Sequence, residues 1–155
     1  MMNYHVKRII VVIAVAIICC TSLYSQGVNY IVLASEQTSS SSVRLKLIVY
    51  GKSKKTIDVD AQCAALQVAL FDGCPNTSFS KAFIEDGKMT SFDNHPHYFE
   101  KLYSTRYSDF IMSCEATSDF KKGDKNKGTE YSVEIKMLSL RKDLEKNGIK
   151  RKIGL

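Results

Sequence analysis

Two histidines flank a proline in "SFDNHPHYFEKLYSTRYSDFI", Ser91 to Ile111, with Asp93 and Glu100 close by in the chain. Imidazole and carboxylate groups at this density could ligate a divalent metal or share a proton. Pro96 restricts both options. Proline favours the first position of a helix and biases the residue before it toward extended backbone, so His95 is expected before a helix and His97 in its first turn. Residues two apart on a helix do not share a face, whereas His97 and Glu100, three apart, do. The pair supplies only two ligands, and the HExxH arrangement of zinc proteases is absent. The same residues have a structural use. Asp93 or Asn94 offers a capping oxygen, Pro96 opens the helix, and Tyr98, Phe99, Leu102 and Tyr103 form its apolar side, which Tyr107 and Phe110 extend. An aromatic surface of this kind could take a sugar or an apolar chain, which makes Tyr98, Phe99, Tyr103 and Tyr107 candidate binding residues.

Other catalytic patterns are missing. The chain has no GxSxG elbow, no phosphate loop and no CxxC, and because His95 and His97 are the only histidines beyond residue 25, a Ser/His or Cys/His pair there would have to recruit one of them. Asp58 with Asp60 suits the start of a helix, and Glu85-Asp86 a solvated loop. The expectation is a binding or scaffolding protein without a cofactor. The alternatives are a small metal-dependent or hydrolytic protein using His97 and Glu100, and a carrier of an apolar or sugar ligand.

The N-terminus sets the compartment. Lys7 and Arg8 precede the apolar run "IIVVIAVAIICC", Ile9 to Cys20, which the polar "TSLYSQG" follows. A basic head, an apolar run shorter than the ~20 residues of a spanning helix and a small-residue exit are the parts of a secretory signal peptide. Residues 1–25 are therefore expected to be removed after Ser25, leaving 26–149 as one domain and 150–155 as a basic tail. The protein is expected to be exported, to the periplasm or beyond. Membrane association would require a lipid on Cys19 or Cys20, and neither has the small preceding residue that lipoprotein processing wants.

Cys63, Cys74 and Cys114 remain beyond the signal, an odd number that argues against a disulfide framework. Cys63 and Cys74 are expected on the order of 15 Å apart along one helix and its exit, too far to bridge. Cys114 could pair with Cys63 or with Cys74; three small buried apolar residues is the equal alternative.

Charge divides the chain unevenly. From Gln26 to Phe120 nine Lys/Arg stand against eleven Asp/Glu, whereas Lys121 to Leu155 holds eleven against five. Basic residues thus gather in "KKGDKNKG" and in "KNGIKRK", which ends in Lys150, Arg151 and Lys152. Nucleic acid is not an expected partner in an exported compartment; an anionic surface component or an acidic envelope protein is. Oligomeric state has no sequence signal here.

Hydrophobic period gives the elements that must position these groups. "VNYIVLAS" is β-branched and reads as a strand, and "VRLKLIVYG" alternates, with Val43, Leu45, Leu47 and Val49 on one side. "TIDVDAQCAALQVALFDGCP" reads as a central helix that Asp58 can cap and that Gly73 and Pro75 end. Asn76 to Phe92 reads as an irregular connection, followed by the aromatic helix. Phe110, Met112 and Cys114 alternate in a third strand, and Tyr131, Val133, Ile135 and Met137 in a fourth. Ser139 is expected to cap a last helix, closed by Gly148 and Ile149. The order strand, strand, helix, helix, strand, strand, helix predicts an α+β domain. Its mainly antiparallel sheet of about four strands would carry the helices on one face.

Three segments carry a resemblance: "DAQCAALQVALFDG", "YFEKLYSTRYSDFI" and "EYSVEIKMLSLRKDLEKNGI". Together they resemble a family of small exported proteins from Bacteroidetes-type bacteria, in which a helix ends in a Leu-Phe-x-Gly turn and the last strand leads into Leu-Arg-Lys-x-Leu-Glu-x-x-Gly-Ile. The closing strand and helix are also similar to small domains of flagellum-associated outer-membrane lipoproteins, which implies assembly or scaffolding. Neither resemblance brings a catalytic residue.

Overall fold

The computed structural model describes residues 28–51, 53–120 and 128–150. Strands β1 (Asn29–Gln37), β2 (Ser42–Tyr50), β3 (Ile111–Ala116) and β4 (Thr129–Lys136) form one antiparallel sheet in the order β1-β2-β4-β3. Helix α1 (Ile57–Gln67) continues as a wide turn over Val68–Asp72. Helices α2 (Lys88–Asn94) and α3 (Pro96–Lys101) follow, and α3 runs on through Leu102–Arg106 and Tyr107–Phe110 before β3. Helix α4 (Met137–Lys146) closes the domain. The fold is α+β, in the expected order, with the aromatic helix preceded by the short α2. The expected signal segment, Cys19, Cys20, Arg151 and Lys152 lie outside the described residues.

The two central strands explain the core. Val43, Leu45, Leu47 and Val49 of β2 and Val133 and Ile135 of β4 are fully buried, and Tyr131 nearly so. Their partners across the ladder match in parity, Val43 with Ile135, Leu45 with Val133 and Leu47 with Tyr131. One face of the sheet is therefore continuous hydrocarbon. The other carries Lys46, Glu130 and the Arg44–Glu134 ion pair at 2.9 Å. Helix α1 lies across the apolar face and is buried nearly all round, from Ile57 and Ala61 to Leu66, because the sheet covers one side and later segments the other.

Five local expectations are corrected. Met112 is 57% exposed rather than inward, because a bulge between Ile111 and Ser113 resets the alternation and turns Ile111 and Cys114 toward the core. Helix α2 starts at Lys88, inside the stretch expected to be irregular. Asp93 and Asn94 end α2, so neither caps α3; His95 takes that position without a side-chain bond, and Pro96 opens the helix as expected. Asp58 lies in the first turn of α1 behind Thr56, where its carboxylate is committed to Tyr131. Ser139 lies inside α4, which starts directly from β4 with Lys136 at its cap. The end of α4 is as expected. Gly148 has φ +71°, Gly148 N–H donates to the Glu145 carbonyl and Ile149 N–H to that of Leu144.

Candidate functional site

The histidine pair is on the surface. His97 Nδ1 lies 3.8 Å from Glu100 Oε2, with side chains 95% and 54% exposed. Among the described residues no three His, Cys, Asp or Glu side chains are grouped to hold a metal ion. Two exposed groups at this distance make an i, i+3 surface contact.

The aromatic candidates sit against the core. Phe99 and Leu102 are fully buried, and Tyr98, Tyr103 and Tyr107 are half-buried. Phe99 stands 4.6 Å from the ring of Phe92, 5.2 Å from Tyr98 and 6.1 Å from Phe71. These rings fill one another's space, as aromatics at helical spacing do. The three cysteines are free, with no bridge from Cys114 to Cys63 or Cys74. The Cys63 thiol donates to the Tyr103 carbonyl at 3.9 Å and the Cys114 thiol to the Asp58 carbonyl at 3.8 Å. Burial first, and Asp60 second, push the Cys63 thiol up to about 12; burial and Asp72 push Cys74 to about 11. Both stay protonated at neutral pH and are poor nucleophiles.

One polar network ties the aromatic helix to α4. Tyr98 Oη donates to Asp143 Oδ2 at 2.8 Å, and Arg106 Nη2 donates to Asp143 Oδ1 at 2.8 Å. Burial, then the bond to Asp143, raise the Tyr98 hydroxyl, so it remains a donor. Asp143→Ala strips a charged acceptor from a half-buried hydroxyl. A loss of about 1–2 kcal/mol in urea unfolding is expected, and Tyr98→Phe in the Asp143→Ala background should add little.

Lys150 is the one described residue of the basic tail, and it leads to a cleft. The wall opposite it is the connection from α1 to α2. Gly73 turns the chain with φ +82°, Cys74 N–H donates to the Phe79 carbonyl at 2.8 Å, and Thr77 Oγ1 donates to the Cys74 carbonyl at 2.7 Å. The chain then runs back along the wide turn of α1. Phe83 and Ile84 N–H groups donate to the Ala69 and Leu70 carbonyls at 3.3 and 2.9 Å. Two ties fix the loop to β1: Ser35 Oγ donates to the Pro75 carbonyl, and Ser78 N–H donates to Gln37 Oε1 at 2.8 Å. A long loop anchored at both backbone and side chain is a rigid wall, the usual setting for binding groups.

Lys81, Arg141 and Lys150 converge on this cleft of about 370 Å³, with Glu85 the one acidic side chain of its lining. Lys150 Nζ donates to the Phe83 carbonyl at 2.9 Å and stands 5.3 Å over the Phe83 ring. Arg141 Nε donates to Glu145 Oε1 at 3.1 Å. Burial, then the nearby Arg141, lower the Lys150 ammonium, and Glu85 and Glu145 offset this only in part. A bound anion would counter the repulsion between Lys150 and Arg141. Lys150 was visible in the sequence as part of a basic run. Arg141 and Lys81 were not, because sixty residues separate them and each looks like an ordinary surface cation; the amphipathic pattern of α4, which places Arg141 beside Leu140 and Leu144, is the only trace. Compared with known proteins, the chain matches no family model, no curated protein and no solved structure.

Proposed function

We propose that this is an exported, non-catalytic binding module of the cell envelope that holds phosphate or carboxylate groups of an anionic surface component. The supporting observation is the convergence of Lys81, Arg141 and Lys150 on one cleft, from elements far apart in the chain, three cations against Glu85 in the lining and Glu145 paired to Arg141. Arg151 and Lys152 follow Lys150 directly in sequence. Export rests on the basic head, short apolar run and polar exit of residues 1–25.

A basic residue near an anionic lipid surface contributes about 1 kcal/mol. Neutralising two, as Lys150→Gln with Arg141→Gln, is expected to weaken co-sedimentation with phosphatidylglycerol vesicles about thirtyfold, since 1.4 kcal/mol is tenfold. Lys46→Gln, on the open face of the sheet, should bind as the parent does. A second arm with polygalacturonate separates lipid phosphate from polysaccharide carboxylate as the source. Equal binding to phosphatidylcholine vesicles, binding unchanged in the double variant, or no binding to either polyanion contradicts the proposal.

A further inference from the structure

A second cleft, of about 550 Å³, lies at the opposite end of the sheet. Ile57 and Asp58 from the first turn of α1, Thr117, Ser118, Asp119 and Phe120 from the segment after β3, and Thr129 and Tyr131 from the start of β4 line it, with Lys54 at its edge. The basic cleft shares none of these residues.

Its geometry is fixed by the fold. Tyr131, nearly fully buried, donates its hydroxyl to Asp58 Oδ1, which locks the carboxylate; among the described residues Oδ2 has no hydrogen-bond partner. Behind it the Cys114 thiol donates to the Asp58 carbonyl and fastens α1 to β3. On the far wall the Thr117 N–H donates to the Glu130 carbonyl at 2.8 Å, and the Glu130 N–H donates to Ser118 Oγ at 2.9 Å, so the segment after β3 is held against β4. The start of β4 is held as closely, for a side chain on Gly128 would run into Ile48 and the Val49 carbonyl.

The chemistry is that of a polyol site. Two carboxylates accept hydroxyl protons, the hydroxyls of Thr117 and Ser118 both donate and accept, Lys54 donates, and the half-buried Phe120 gives an apolar surface for C–H groups. Among the described residues the lining carries one positive against two negative side chains, a balance that suits hydroxyl groups better than an anion. Among the described residues no three groups cluster to take a metal. Burial and the neighbouring Asp58 raise the Tyr131 hydroxyl and push the Cys114 thiol up to about 11, so neither acts as a base or nucleophile at neutral pH. We infer that this cleft binds a neutral sugar, one or two rings long, through Asp58, Asp119 and the hydroxyls of Thr117 and Ser118. The inference is independent of the anion site at the other end.

Glucose, galactose, N-acetylglucosamine and their β-linked disaccharides are the probes, added at millimolar concentration to the ¹⁵N-labelled protein. At least one is expected to shift the amides of Ile57, Asp58, Thr117 to Phe120 and Thr129 to Tyr131, leaving those of Ser78 to Glu85 unmoved. Asp119→Ala removes an exposed side chain that makes no hydrogen bond or ion pair among the described residues, and should weaken binding at least tenfold with an otherwise unchanged spectrum. Asp58→Asn should do the same, with its spectrum reporting whether α1 keeps its place. Absence of shifts with every probe, shifts elsewhere, or undiminished binding by Asp119→Ala overturns the inference.

Discussion

Replacing Phe99 with alanine is expected to cost about 3–5 kcal/mol of folding stability, the largest loss of any single truncation in the aromatic helix. Phe99 is fully buried, and the rings of Phe92, Tyr98, Phe71 and Tyr103 surround it within 6.4 Å. Two of these neighbours are held elsewhere, Tyr98 by Asp143 and Phe71 by the wide turn that ends α1, which limits collapse into the space. The cavity therefore persists and its cost adds to the lost transfer free energy. For a domain of this size a kcal/mol corresponds to roughly 3–6 °C, so the melting temperature should fall by roughly 10–30 °C. Urea unfolding with an unchanged m value would show that the folded state, and not the unfolded one, carries the loss. A loss below about 1 kcal/mol would mean that the cluster is loosely packed, and would restore the aromatic helix as a place for a ligand.

Gly73→Ala is expected to be nearly as damaging, for a backbone reason. Gly73 has φ +82° and ψ 170°, a region essentially confined to glycine. A Cβ there would run into the Ser80 carbonyl and come within 2.8 Å of the Lys81 carbonyl carbon. The strain of the dihedral is worth about 1–3 kcal/mol, and relieving the clash requires the 78–85 wall to move. Gly148→Ala is the control. Its φ is also positive, +71°, but an added Cβ meets nothing within 4 Å, so only the dihedral cost of about 1–2 kcal/mol applies. The two variants should therefore differ in function as well as stability: Gly73→Ala loses affinity for phosphatidylglycerol vesicles because Lys81 and the Phe83 carbonyl are displaced. A Gly73→Ala protein that melts and binds like the parent would show that the loop is not the rigid wall described.

The fold was legible where burial is one-sided. Strands β2 and β4 alternate because one face of the sheet is core and the other meets solvent, and α1 reads as central because it is apolar all round. The bulge in β3 left no mark, since inserting one residue changes parity without requiring any residue type, and Met112 was assigned inward on an alternation that the chain breaks there. Helix α2 was missed because seven residues carry no cap and too short a pattern. Capping went wrong at Asp58 for a different reason: its carboxylate is taken by Tyr131, seventy-three residues away, a tertiary bond that outbids the local one. The same limit governs the sites. Lys150 stood out as part of a charged run, but its neighbours Arg141 and Lys81, and the partnership of Asp58 with Asp119, exist only once the chain has folded.

The most direct test of the anion-binding account is amide chemical-shift mapping of the ¹⁵N-labelled protein on phosphatidylglycerol nanodiscs, in low and in high salt. The account predicts that the largest perturbations fall on Ser78 to Glu85 and Arg141 to Lys150, and that they fade as salt screens the cleft. Perturbations centred instead on Tyr98 to Tyr107 or on the Lys46 face of the sheet, or shifts that salt leaves unchanged, would contradict it.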